Sequence, residues 1–265
     1  MNTATHVDRP SVNALTVRRL PLSRPFAWLL LGWDDLRHNP SASIAYGVLV
    51  AAFGALLLGF WRHPYLIAAS ISGFLLVGPL LTTGLCELSR RRAAGEQTDF
   101  DSSLSALGRN REALLHFATN LLIISAAWFG MSSLMIHLAL GGVAPDVQAT
   151  VWGGAFDQIT MAQWIAYAVV GGVLAAIVFA RSVVSIPLII DRNADALTAV
   201  QASHRVTLQD LPTMLVWAAL IVLLVGIGFG TFLVGMILVF PLLGHATWHA
   251  YDELVGAKFA SSNDR

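Results

Sequence analysis

Cysteine and charge are both scarce in this sequence. Cys86 is the only cysteine among 265 residues, which excludes a disulfide framework within the chain. Charged residues make up 12%, where a soluble domain carries about a quarter, so lipid rather than water is the main solvent. The formal net charge is zero, which excludes a globally basic nucleic-acid binder. HExxH, P-loop, GxSxG and GxGxxG patterns are all missing, so soluble-type hydrolase and nucleotide chemistry find no support. The N-terminus holds arginines but no apolar run of signal-peptide length, and it reads as a mobile tail over residues 1–20.

Apolar residues are abundant instead, at 56% with a mean hydropathy of +0.67. A bilayer core needs ~20 apolar residues per helix, and six runs approach that length: 44–61, 65–88, 113–140, 164–190, 213–226 with an extension to 230, and 231–254. The expected fold is all-α: a polytopic membrane domain of six transmembrane helices over residues 21–255, followed by a tail at 256–265. The glycine-rich stretch GIGFG, 226–230, is the expected corner between the last two spans. Apart from Arg62 and Arg181, every basic residue falls on one side of this arrangement. The positive-inside rule then puts both termini in the cytoplasm of a bacterium, with the protein multi-pass in its inner membrane.

Between the spans lie shorter polar segments with helical periodicity. In 22–38, Phe26, Leu29, Leu30, Trp33 and Leu36 share one helix face, while Asp34, Asp35, Arg37 and His38 lie off it, as in an interfacial amphipathic helix. Similar segments occur at 101–112, with Asp101 or Ser102 as its cap, and at 194–210. Each precedes a pair of spans whose second member carries a proline, Pro79, Pro187 or Pro241, followed by Leu-Leu or Leu-Ile. The pattern suggests three parallel repeats of amphipathic helix, span out and span back.

Aligned on those prolines, Thr83, Asp191 and His245 form one polar layer, and Glu87, Asp195 and His249 another, one turn apart. His245 and His249 stand at i and i+4, a spacing that can place two imidazoles on one divalent transition metal, with Glu87 and Asp191 completing the site. The alternative for these residues is the polar, histidine- and tryptophan-bearing end of an ordinary membrane helix. Arg181 lies ten residues before Asp191, about 15 Å along a continuous helix, and an intramembrane arginine is costly enough to suggest function. Asn120 is its expected partner. His137 and His63 read as interfacial residues.

The strings LGWDDLRHNP, GPLLTTGLCELSRR, IPLIIDR, DALTAVQAS and FPLLGHATWHAYDEL together resemble an uncharacterised family of bacterial integral membrane proteins, domain of unknown function 2189. Some members are labelled cytochrome c oxidase subunits. The resemblance covers about residues 15–255 and implies a six-helix inner-membrane protein with no established activity. A haem-copper catalytic subunit needs several histidines inside the bundle, and only His137 is placed for that. The leading expectation is a non-enzymatic structural or accessory component of a membrane assembly, in contact with lipid and with membrane-protein partners or further copies of itself, but not with nucleic acid. The alternatives are a small-solute transporter or channel, and a metal- or haem-binding respiratory accessory subunit.

Overall fold

The computed structural model describes residues 19–59, 64–139 and 159–255. The expected N-terminal tail up to Val17 and Arg18, the corner at 60–63 with His63, most of the outer loop and the tail at 256–265 lie outside the described residues. Among those that are described, every regular element is a helix. Ten follow one another: α1 (Arg24–His38), α2 (Pro40–Gly59), α3 (Pro64–Ala93), α4 (Phe100–Arg109), α5 (Arg111–Ala139), α6 (Met161–Ser182), α7 (Ser185–Arg192), α8 (Ala196–Gln209), α9 (Leu211–Gly230) and α10 (Met236–Val255).

Among the described residues, four stretches are long and apolar enough to cross a membrane: Pro40–Leu57, Arg111–Ala139, Met161–Arg192 (α6 with α7) and Leu211–Gly230. Their outward faces carry large apolar side chains such as Ile123, Val169 and Val222, exposed at 63%, 59% and 70%, a surface that only lipid or a partner can cover. The expected sixth span is shortened. α10 begins at Met236, and its second half is the polar sequence from His245 onward. The corner before it is not GIGFG, because α9 runs through to Gly230 and the turn occupies residues 231–235. Thr231 makes that turn possible: its hydroxyl donates to the carbonyls of Ile227 and Gly228 and accepts from Gly235 N–H at 2.9 Å, so the helix end keeps its partners.

α10 is the hub. It packs against α1, α2, α3, α7 and α9, and its second half is enclosed, with His245, Ala246, Ala250, Tyr251 and Leu254 all at 0% exposure. Close approach to α2 depends on Gly47. Pro241 has no N–H to offer the Ile237 carbonyl, and a Cβ at Gly47 would collide with that same carbonyl. Gly47→Ala is therefore expected to cost about 1–3 kcal/mol, read as a lower midpoint of thermal unfolding in detergent. Gly130→Ala, where a Cβ meets nothing, should leave the midpoint unchanged.

Three short helices, α1, α4 and α8, each end in a residue with nearly the same backbone angles before a long helix starts. Asn39 has φ −127°, ψ 63°, Asn110 has φ −140°, ψ 60°, and Asp210 has φ −126°, ψ 47°. Each of these side chains also holds the segment that leads into the next short helix. Thr98 Oγ1 donates to Asn39 Oδ1 at 2.7 Å, Asn110 Nδ2 donates to the Ala194 carbonyl at 2.9 Å, and Leu20 N–H donates to Asp210 Oδ2 at 3.0 Å. The third latch returns to the segment before α1, so the three close a ring. Each short helix also lies on the proline-bearing helix of the pair before it in that ring: α1 on α10, α4 on α3, and α8 on α6 and α7. The correspondence is approximate, since α9 packs on α10 and α1.

Local sequence moved two expected boundaries. α4 is capped by Asp99, not Asp101 or Ser102: the Asp99 carboxylate accepts from Ser102 N–H at 2.7 Å, and the Ser102 hydroxyl accepts from Asp99 N–H at 2.9 Å. The fourth span breaks at Val183–Val184, because Pro187 leaves the turn before it without a donor. Hydroxyls cover the break, with Ser182 donating to the Val178 carbonyl and Ser185 to those of Arg181 and Ala199.

Candidate functional site

Much of the apolar stripe of α1 faces outward, with Leu36 buried at 4% exposure as its inner edge. Phe26, Leu30 and Trp33 are 53%, 72% and 42% exposed, while Trp28 and Asp35 on the other face are 0% and 5% exposed. In lipid the apolar face can look outward and the polar one inward, so α1 brings an indole and a carboxylate to the second half of α10. Trp28 Nε1 donates to Glu253 Oε2 at 2.7 Å, and Arg24 pairs with the same carboxylate.

Asp35 is the centre of a polar chain that crosses four helices. Its Oδ1 accepts from Arg92 Nη1 at 2.6 Å, and its Oδ2 accepts from Ser89 Oγ at 2.5 Å and from His249 Nε2 at 2.8 Å. Ser89 also meets His245 Nδ1 at 2.8 Å, and His245 Nε2 meets Ser43 Oγ at 2.8 Å. Donor counting assigns the protons. An ionised carboxylate only accepts, so the Ser89 hydroxyl donates to Asp35 and must accept from His245 Nδ1–H, which leaves Nε2 to accept from Ser43. Every donor along Ser43, His245 and Ser89 therefore points toward Asp35.

Burial pushes the Asp35 carboxyl up, but hydrogen bonds from His249 and Ser89, with the positive potential of His249, outweigh it and hold it at about 2. The ordinary value is about 3.8, so this carboxylate contributes stability that is complete above about pH 4 and is lost as pH falls through 2, a loss of about 2 kcal/mol. Acid unfolding of the wild type should show that loss between pH 4 and 2 in circular dichroism, and Asp35→Asn should be less stable at neutral pH and flatter across the window.

A second cluster surrounds Glu87, whose side chain is 0% exposed. Oε1 accepts from Arg91 Nε at 2.8 Å, Arg109 Nη2 at 2.7 Å and Arg90 Nη2 at 3.0 Å; Oε2 accepts from Arg90 Nε at 2.9 Å. Arg109 comes from α4 and also donates to the Ile190 carbonyl at the end of α7, so one carboxylate joins three elements. Asp191 accepts from Tyr251 OH at 2.7 Å and pairs with Arg192 at 3.0 Å.

The four expected metal ligands are therefore not brought to one point. His245 and His249 meet through Asp35 and Ser89, Glu87 is enclosed by arginines, and Asp191 turns to Tyr251. Among the described residues, no group of three or more His, Cys, Asp or Glu side chains is placed to hold a metal ion. The two expected polar layers also separate. α7 ends at Arg192 with Asn193 left-handed at φ 52°, so Asp195 is not a turn below Asp191 but the cap of α8, accepting from Thr198 N–H at 2.9 Å. Thr83 is buried with its hydroxyl unpaired. Arg181 Nη2 donates to Asn120 Oδ1 at 3.2 Å. Because the helix breaks two residues later, Arg181 lies beside α8 rather than 15 Å up a continuous span.

Ser43, Ser89, Asp35, Arg92 and Glu253 carry this geometry and were not among the candidates. A signal for Asp35 was present in the sequence: Trp28 and Asp35 are seven residues apart and share the face opposite the apolar stripe. A hydroxyl on an imidazole that leads to a carboxylate is also the order of a nucleophilic relay. Here Ser43 and His245 are both at 0% exposure, so in this state the chain of bonds fastens helices together.

The segment from near the start of α3 to near the end of α7, which holds Glu87 and its arginines, also resembles a known family. Residues 66–191 match the family described as predicted integral membrane protein, domain of unknown function 2189. The Glu87 cluster lies within the matched region, as do Ser89 and Arg92 of the Asp35 chain, while α1, α2 and α10 lie outside it. No curated protein and no solved structure gives a significant match.

Proposed function

We propose that the protein is a structural or accessory component of an assembly in a bacterial inner membrane. In this reading α3 and α10 cross with the four clearer spans, the chain is a threefold repeat of short helix, span out and span back, and both termini face the cytoplasm. The observation that carries it is the pairing of the buried carboxylate and imidazole at the two clusters. Glu87 and His245, both at 0% exposure, use their bonding capacity on arginines and serines of the same chain, which serves rigidity rather than turnover. The three latches at Asn39, Asn110 and Asp210 support the repeat.

Two measurements test this. Reporter fusions after Arg92, Val206 and Arg265 should report cytoplasm, and fusions within 143–160 the outside; an exterior signal at the C-terminus overturns six crossings. Crosslinking in the membrane followed by gentle detergent extraction should give a defined complex larger than one chain. A monomer that produces protein-dependent solute flux in proteoliposomes would replace this reading by transport.

A further inference from the structure

A groove of about 550 Å³ runs between the end of α6 and α8, away from the Asp35 and Glu87 clusters. On α8 it is lined by Leu197, Val200, Gln201, His204, Arg205 and Leu208, which follow one another at helical spacing along one face. The opposite face, with Ala199, Ala202, Ser203 and Val206, is buried in the core. Arg181 closes the groove from α6. Two guanidinium groups thus border one groove, and among the described residues no carboxylate lines it. One cation is incompletely satisfied: Arg181 uses Nη2 on Asn120, while its Nε is shielded from solvent and has no acceptor. A buried donor without an acceptor is costly.

The same groove is flanked by Leu197 and Leu208, 67% and 61% exposed, and α6 belongs to a membrane-crossing stretch. The site therefore pairs cations with apolar surface at the end of a span. Guanidinium matches phosphate oxygens with paired N–H donors, and basic residues beside membrane helices attract anionic headgroups. The geometry points to a binding site for one anionic phospholipid, its phosphodiester on Arg181 and Arg205 and its acyl chains along the leucines. This rests on α8 lying at the membrane interface.

The full-length protein, purified in a neutral detergent, is titrated separately with phosphatidylglycerol, phosphatidylcholine and inorganic phosphate. Lipid adducts are counted by native mass spectrometry and the melting midpoint is followed. One tightly held phosphatidylglycerol with a raised midpoint is expected, and Arg181→Gln/Arg205→Gln should weaken that binding about tenfold or more without changing retention of phosphatidylcholine. Arg205→Gln alone, on a surface helix face, provides the same comparison where the double variant does not fold. Equal retention of both lipids, or unchanged phosphatidylglycerol affinity in the variants, overturns the site. An equal effect of inorganic phosphate overturns the lipid as its ligand. A fluorophore on Leu208→Cys, quenched by headgroup-labelled lipid in vesicles, tests the interfacial placement separately. Quenching without lipid preference sinks the site alone, and absence of quenching sinks the placement as well.

Discussion

Glu87→Ala is expected to destabilise the protein by about 3–5 kcal/mol, the cost of leaving buried charge without its partner. Three guanidinium groups converge on this one carboxylate, and their own exposures of 17%, 21% and 33% let water compensate them only partly. Glu87→Gln keeps the volume but supplies one acceptor oxygen in place of two, so it should fall between alanine and wild type. Because Arg109 also holds the Ile190 carbonyl, the loss should spread to α4 and α7. Hydrogen exchange should speed up there before it does in α9. Wild-type stability in Glu87→Ala would show that the arginines find equivalent partners without it.

Asp35→Ala should cost about as much, about 3–5 kcal/mol, for a different reason. The carboxylate is the common acceptor for Arg92, Ser89 and His249, and Ser89 fixes the tautomer of His245. Its removal frees the Ser89 proton, and the assignment of His245 Nδ1–H as donor is lost with it. His245→Ala should be milder, because it opens a cavity and orphans two hydroxyls but leaves no unpaired charge. Combining Asp35→Ala with His249→Ala should cost less than the sum of the two, since they share one bond. Additive losses would place His249 outside the network. Thermal unfolding of the four proteins in one detergent measures the whole cycle.

Several elements were legible in the sequence for identifiable reasons. Long apolar runs specify membrane helices wherever the chain packs, because unpaired backbone groups are not tolerated in lipid. The short helices at 24–38, 100–109 and 196–209 were visible as periodic segments, and the three prolines marked helices that touch one another in the folded protein, α3, α7 and α10. The i, i+4 spacing of His245 and His249 correctly put them on one helix, but the partners of that helix could not be read from spacing.

The sequence by itself determined an all-helical membrane chain, the location of its short helices, and a family match over residues 66–191. Only the tertiary structure decided that Trp28 and Asp35 of α1 look inward while Phe26, Leu30 and Trp33 look outward, since periodicity separates two faces without saying which solvent each meets. It also decided the partners of the buried charges. Asp35 meets His249 across 214 residues and Glu87 meets Arg109 across 22, distances along the chain at which no local propensity acts. A break of two residues at Val183–Val184, and a left-handed Asn193 ten residues later, put Asp191 and Asp195 on different elements and so separated the two expected polar layers. Side chains aligned along the sequence converge in space only while the helix that carries them remains unbroken.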